Sequence, residues 1–286
     1  MKQTTLEEIS DWLGALGQLQ ETGKCRSPDF WKPFHFVTLA LAAKQWGLAR
    51  LGLPDEFKSY AARMELWEAA GTEPPYQVNK FSAQGRFLPV QALADSARVD
   101  ESANRLAEIM AAHCSEKSQS SLRVTLTELL NNCYDHAEPQ TALFGLACAQ
   151  SWPRGKLAQI AIADAGLGIR DTLGQNNALL SRLHRENACA LATEYGVTGK
   201  PNHHHSGYGL TLARQVLENN GGNLVVISGT ESASCRRGQL CAKNDLRSWI
   251  GTLVVLEWRT DHPLDVEAVY ESWPLPEGMT HEDFLL

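Results

Sequence analysis

Three short segments of this 286-residue chain carry side chains and backbone with chemical uses. The first is TLTELLNNCYDHA, residues 125–137. With a helical turn of about 100° per residue, Glu128, Asn132 and Asp135 fall within about 60° of one another. The apolar residues Leu122, Leu126, Leu129, Leu130 and Cys133 centre about 140° away on the same wheel. One stripe can therefore pack while its neighbour presents a carboxylate, an amide and a second carboxylate. That layout suits a hard cation and an activated water. Mg²⁺ takes few protein oxygens and lets phosphates supply the rest. An Asn oxygen is a suitable ligand, and a Glu one turn away can polarise a water. Taken alone, the same stripe is also an ordinary solvated helix face.

The second segment, IAIADAGLGI (160–169), runs a buried apolar strand directly into Asp164, Gly166 and Gly168. Glycines there let the backbone turn with positive φ and let a ligand come close. An Asp at a strand end can accept a hydrogen bond from an exocyclic amine and so read an adenine, although D-x-G is also common turn chemistry. The third segment, SGYGLTLAR (206–214), sets Gly207 and Gly209 at the start of an amphipathic helix. Free N–H groups and the helix dipole make such an end an anion site, with phosphate the natural guest. A loop glycine pair needed only for packing reads the same way. The Walker pattern G-x-x-x-x-G-K-[ST] is absent.

The order of the three segments is the informative part: cation and water, then adenine, then phosphate. In this order the chain resembles the GHKL superfamily of gyrase-type topoisomerases, heat-shock chaperones of that class, histidine kinases and MutL-type repair proteins. The resemblance covers about residues 100–260, with ELLNNCYDHA as the N box, DAGLG as the first glycine box and GYGL as the second. It implies ATP and Mg²⁺ as ligands. It also implies Glu128 as hydrolytic base, Asn132 as magnesium ligand and Asp135 near the sugar and phosphate end. Asp164 would read the adenine in a pocket shaped by Gly166 and Gly168, and Gly207 and Gly209 would approach the phosphates. Thr252 in GTLVVLEW matches the late-strand threonine that supports the adenine site. Residues 169–206 would be the ATP lid, with Lys200 within reach of a terminal phosphate and His203, His204 and His205 as lid features.

A Glu at the head of the N box separates this chain from histidine kinases, which place Asn there. Hydrolysing members, and serine kinases that act on anti-sigma partners, carry Glu. No dimerisation helix with a phospho-acceptor histidine precedes the domain. The expected function is Mg²⁺-dependent ATP binding by an ATPase or ATP-driven switch that controls a partner protein. The alternatives are a serine/threonine kinase of the anti-sigma type and a non-catalytic ATP-binding module.

The elements that must position these residues follow from patterning. Helices are expected over 1–24, 34–46, 56–70, 101–114, 120–137 and 209–220. Strands are expected at 48–54, 85–90, 141–150, 157–164, 223–228 and 252–258. The stretch 229–251 reads as a polar connection, and 169–206 as a long loop without sustained apolar period, mobile until phosphates order it. The fold class is α/β: a GHKL-type sandwich over 97–260 with a mixed sheet backed by helices, and a C-terminal tail over 261–286. A small α/β module over 1–96 precedes it, weakly similar to STAS modules. Its tryptophans (Trp31, Trp46, Trp67) point to packing on the ATPase unit, on a second copy in a homodimer or on a partner protein.

Composition sets the outer bounds. Lys and Arg number 26 against 33 Asp and Glu, a net charge of −7, so holding nucleic acid or an anionic membrane by charge is not expected. No run is long and apolar enough to span a bilayer. The start, MKQTTLEEISDWLG, has acids where a secretory signal needs bases, so a cytoplasmic location is expected. Seven scattered cysteines without C-x-x-C spacing argue for reduced thiols rather than a disulfide framework or zinc site.

Overall fold

The computed structural model describes residues 2–22, 26–74, 86–93, 96–108, 114–136, 144–200 and 207–274. The chain opens with four helices, α1 (Leu6–Thr22), α2 (Pro33–Gln45), α3 (Asp55–Arg63) and α4 (Leu66–Ala70). Pro33 suits the first turn of α2, where its missing N–H has no partner to lose. His35 Nδ1 accepts the Lys32 N–H at 2.9 Å. It can do so because burial, then the Lys32 charge, holds the imidazole well below its usual pKa and hence neutral. Every residue of α2 from Pro33 to Ala43 is buried, which marks it as a central helix rather than a surface one. The helix expected over 56–70 breaks at Glu65, whose φ is +53°. The strand expected at 48–54 is absent: its only pairing is a lone bridge from Arg50 to Glu73, and the Leu51 carbonyl instead accepts from Trp67 Nε1 at 2.7 Å.

The chain continues through β1 (Phe87–Leu93), α5 (Val99–Glu108), α6 (Glu116–His136), β2 (Gly145–Trp152) and β3 (Leu157–Asp164). Three short helices follow, α7 (Ile169–Gly174), α8 (Leu180–Leu183) and α9 (Ala188–Leu191). Then come α10 (Gly209–Asn220), β4 (Asn223–Gly229), β5 (Glu231–Arg236), β6 (Gln239–Lys243), β7 (Trp249–Arg259) and α11 (Val266–Glu271). The seven strands form one sheet in the order β1-β2-β3-β7-β4-β5-β6. The α/β class with a helix-backed sheet is therefore observed, but every pairing is antiparallel where a mixed sheet was expected. The polar stretch 229–251 holds the β5–β6 hairpin. Its two-residue turn, Arg237-Gly238, has both φ values positive, as a tight hairpin requires.

Both faces of the sheet are apolar, and alternation along each strand sends neighbours to opposite sides. Ala161, Ala163, Leu253 and Val255 join α1–α4 in one core. Ile160, Ile162, Val254 and Leu256 join α5, α6, α7, α9 and α10 in the other. The result is a three-layer molecule in which α1–α4 cover one face of the sheet and the chain that follows them supplies its edge strand β1. Trp31 and Trp67 are buried in that first core. No helix among the described residues is long and apolar enough to cross a membrane.

The segment expected as a long mobile lid is largely built structure. Leu173, Leu183, Ala188, Cys189 and Leu191 are buried in the second core. Arg170 grips Glu231 through two hydrogen bonds of 2.6 and 2.7 Å and donates a third to the Leu183 carbonyl at 2.6 Å. Burial pushes the Glu231 carboxyl up, but Arg170 and the Ala188 N–H together bring it below its ordinary value. Single helical turns, each too short to produce a sustained apolar period, hide this order from the sequence.

Candidate functional site

Register decides where the site lies. β3 pairs with β7 so that Ala163 faces Leu253, which brings Asp164 and Thr252 side by side at one end of the sheet. The Asp164 Oδ1 accepts the Gly166 N–H at 2.8 Å and the Thr252 N–H at 3.2 Å. Asp164 is only 8% exposed. Burial raises its pKa to about 6, against the opposing pull of the Gly166 and Thr252 hydrogen bonds. A carboxyl in this position is an acceptor held rigidly at the floor of a cleft.

Glycines make the close approaches possible. A Cβ on Gly168, whose φ is +82°, would stand 2.6 Å from Ser228 Oγ. That hydroxyl accepts the Ile169 N–H at 2.8 Å and donates to the Gly251 carbonyl at 2.9 Å, so it ties the start of α7 to β4 and β7. A Cβ on Gly251, φ +80°, would stand 2.2 Å from the Asp164 carbonyl oxygen and 2.7 Å from its Oδ1. Neither Ser228 nor Gly251 was expected from the sequence. The signal for Gly251 was present in the Gly-Thr pair that opens the apolar strand.

From this floor a cleft of about 390 Å³ extends between α6 and α10, within the range of small-molecule sites. Its walls include Leu129, Cys133, Ile169, Leu173 and Val254, and its far end is lined by Glu128, Asn132, Gly207 and Gly209. A Cβ on Gly209 would lie 3.0 Å from Asn132 Nδ2 and 3.4 Å from Glu128 Cβ. The first turn of the 12-residue α10 thus abuts the Glu128 and Asn132 side chains of α6. Its N–H groups have no helical carbonyl to bond, which makes that end attractive to an anion.

Seven of the expected residues, Glu128, Asn132, Asp164, Gly168, Gly207, Gly209 and Thr252, line this one cleft. Gly166 supports it from behind through its bond to Asp164. Lys200 follows the lining residue Gly199, and its own N–H bonds Thr198 Oγ1 at 3.2 Å; its side chain is not part of the lining. The side chains of Asp135 and His136, and the whole of His113, His203, His204 and His205, lie outside the described residues. Among the described residues no three His, Cys, Asp or Glu side chains gather into a metal-binding group. A cation here would have the Asn132 amide oxygen as its neutral protein ligand, which fits Mg²⁺ carried in on phosphates.

An aromatic group that the sequence does not reveal backs the end of the cleft at α10. Tyr208 lines the cleft between its two glycines. Its ring stacks on Tyr195 at 4.7 Å and on Trp273 at 5.1 Å between centroids. Trp273, just past α11, also bonds Gln215 of α10 through Nε1. The tail helix is itself fastened to α6, where Ser118 and Ser121 hydroxyls accept the Leu264 and Val266 N–H groups, each at 3.1 Å. No family model matches this chain, and no curated protein matches it, so its reading rests on this geometry.

Proposed function

We propose that the chain is a Mg²⁺-dependent ATP-binding protein with the GHKL type of site, which hydrolyses ATP or uses it to drive a conformational switch on a partner protein. One observation carries the reading. A buried carboxyl with a threonine partner stands at one end of a cleft, and a helix N-terminus against Asn132 and Glu128 stands at the other. Such a cleft has an acceptor for an adenine amine, apolar walls for the purine faces, and N–H groups for phosphates.

In this reading Asp164 accepts from the exocyclic amine while Thr252 holds the carboxyl in place. Ile169, Leu173 and Val254 exclude water from the base. The N–H groups at Gly207 and Gly209 take the phosphate oxygens, and the Asn132 oxygen takes one position on Mg²⁺, which neutralises phosphate charge when bound. Glu128, a helical turn from Asn132, accepts a proton from the attacking water, a contribution of roughly 10²–10⁴ in rate.

Titration calorimetry with ATP, ADP and GTP, with and without Mg²⁺, tests the reading. ATP binding that needs Mg²⁺ and exceeds GTP binding is the expected result; no binding of either nucleotide removes the reading. Labelled terminal phosphate recovered as free phosphate indicates hydrolysis, whereas label on a partner's serine or threonine indicates transfer.

A further inference from the structure

A second concavity, of about 640 Å³, lies at the other end of the sheet. Register places it: Gly145 pairs with Asp164 while Trp152 pairs with Leu157, so seven residues of strand, about 24 Å, separate it from the nucleotide cleft. Three arginines from three elements line it. Arg63 ends α3, Arg86 immediately precedes β1, and Arg154 lies in the turn between β2 and β3. No Asp or Glu is among its lining residues. Residues 75–85, which lead into Arg86, also contain none. Among the described residues Arg86 and Arg154 have no ion-pair partner, and both are exposed.

This placement runs against the composition. The chain carries 33 acidic residues and a net charge of −7, yet this hollow is lined by arginines and by no acid. The guanidiniums of Arg86 and Arg154, unpaired among the described residues, repel each other at one hollow, and an incoming anion relieves that repulsion. The walls between them are aromatic: Tyr60, Phe87 and Trp152. Phe30, 49% exposed, extends the wall by lying on Trp152 with centroids 5.9 Å apart. The hollow therefore offers planar forks for carboxylates beside an apolar surface for a flanking side chain.

We propose that this groove docks an acidic polypeptide segment of a partner protein, one whose carboxylates flank an aromatic or large apolar side chain. The size of the groove and the net charge favour this occupant over nucleic acid. A hollow of this volume takes only a few residues, and the acidic surface beyond it repels a long polyanion, whereas a segment with a few local charges meets only the arginines. The site is separate from the cleft proposed for ATP, and its test contains no ATP or Mg²⁺, so the two readings fail separately.

The experiment is fluorescence anisotropy on the full chain with a labelled peptide, DDEFEDD, and with a labelled twelve-nucleotide oligothymidylate. The peptide is expected to bind, more weakly as salt rises. The double variant Arg86→Gln, Arg154→Gln should lose roughly tenfold or more of that affinity. Its melting temperature, at or above that of the unchanged chain at low salt, shows that the loss is not unfolding. A peptide in which Lys replaces each acid should not bind. Equal affinity in the double variant, no binding of DDEFEDD, or tighter binding of the oligonucleotide than of the peptide would each overturn the proposal.

Discussion

Asp164 carries two opposed demands. The residue is 8% exposed and its pKa is raised to about 6, so at neutral pH the fold holds a buried charge. A raised carboxyl pKa means that the folded chain binds the proton more tightly than the unfolded one. Stability is then greatest below the unfolded value of 3.8 and falls as pH rises to about 6. Asp164→Asn removes that cost, and we expect the unliganded variant to be more stable at pH 7 by about 1–3 kcal/mol. Its amide oxygen can keep the bonds from Gly166 and Thr252, which turns the NH₂ toward the cleft and against a ligand amine. ATP affinity should therefore fall roughly 10- to 100-fold. Parallel melting and calorimetry decide: if the folded variant keeps its ATP affinity, Asp164 is not the adenine acceptor, and if its stability does not rise, the buried charge carries no cost. For the unchanged chain, ATP affinity should be flat above pH 7 and weaken as pH drops through about 6, where the acceptor is protonated. Glu128→Ala belongs to the same scale and should retain ATP while losing turnover by roughly 10²–10⁴. Side chains with distinctive chemistry, such as Glu128, Asn132 and Asp164, were legible in the sequence. Ser228 is not legible there, and Gly251 shows only as the glycine that opens a strand, because their roles are contacts with segments far away in the chain that only the sheet register brings together.

Elements with steady periodicity show in the sequence, and those built from single turns do not. β3 over Leu157–Asp164 and α10 over Gly209–Asn220 match the expected limits. α7, α8, α9 and α11 span four to six residues each and leave no period to detect. For α11 a local cue existed: the Asp265 side chain accepts the Ala268 N–H at 3.1 Å, an N-cap legible in principle from Pro-Leu-Asp. These short helices shift two expectations. Backbone amides over 169–194 should resist hydrogen exchange without nucleotide, because the Arg170–Glu231 pair and buried Leu183 and Leu191 fix them. A nucleotide-dependent change belongs instead near 197–200 and 207–210. Trp273→Ala should loosen Tyr208 and so the N–H groups beside it, raising exchange at 207–212 and lowering ATP affinity several-fold, about 1 kcal/mol. Trp273→Phe, which keeps a stacking ring, should recover most of the affinity. Equal affinity in the Ala variant would remove the tail helix from the site.

The molecule as a whole depends on how its first helices are held to the sheet. Apolar burial supplies much of that contact, but a polar knot fixes its position. Glu257, on β7 near the middle of the sheet, is fully buried among the helices. Its carboxylate accepts the Thr4 N–H at 2.8 Å, the Thr4 hydroxyl at 2.7 Å and Gln159 Nε2 at 2.9 Å. Thr4 Oγ1 in turn accepts from Lys32 Nζ at 3.0 Å, and Asn223 Nδ2 donates to the Thr4 carbonyl at 2.9 Å. One residue thus joins α2, β3, β4 and β7, a register that buried polar groups specify more narrowly than apolar contacts do. Burial raises the Glu257 pKa above the ordinary carboxylate value, while Thr4, Lys32 and Gln159 pull it back. Thr4→Val keeps the shape and removes the hydroxyl. The Glu257 oxygen loses its 2.7 Å donor and Lys32 loses an acceptor, so the variant should be less stable by about 1–3 kcal/mol. The sign of the pH dependence follows from the same groups. With a raised folded pKa, stability falls as pH rises from the unfolded to the folded value, and losing the hydroxyl moves the folded value higher still. The deficit of Thr4→Val relative to the unchanged chain should therefore be small at pH 4 and larger at pH 8. Denaturant melts at the two pH values measure it. A deficit that shrinks on going to pH 8 would mean that the hydroxyl does not support an ionised Glu257, and that shape alone seats the first helices on the sheet.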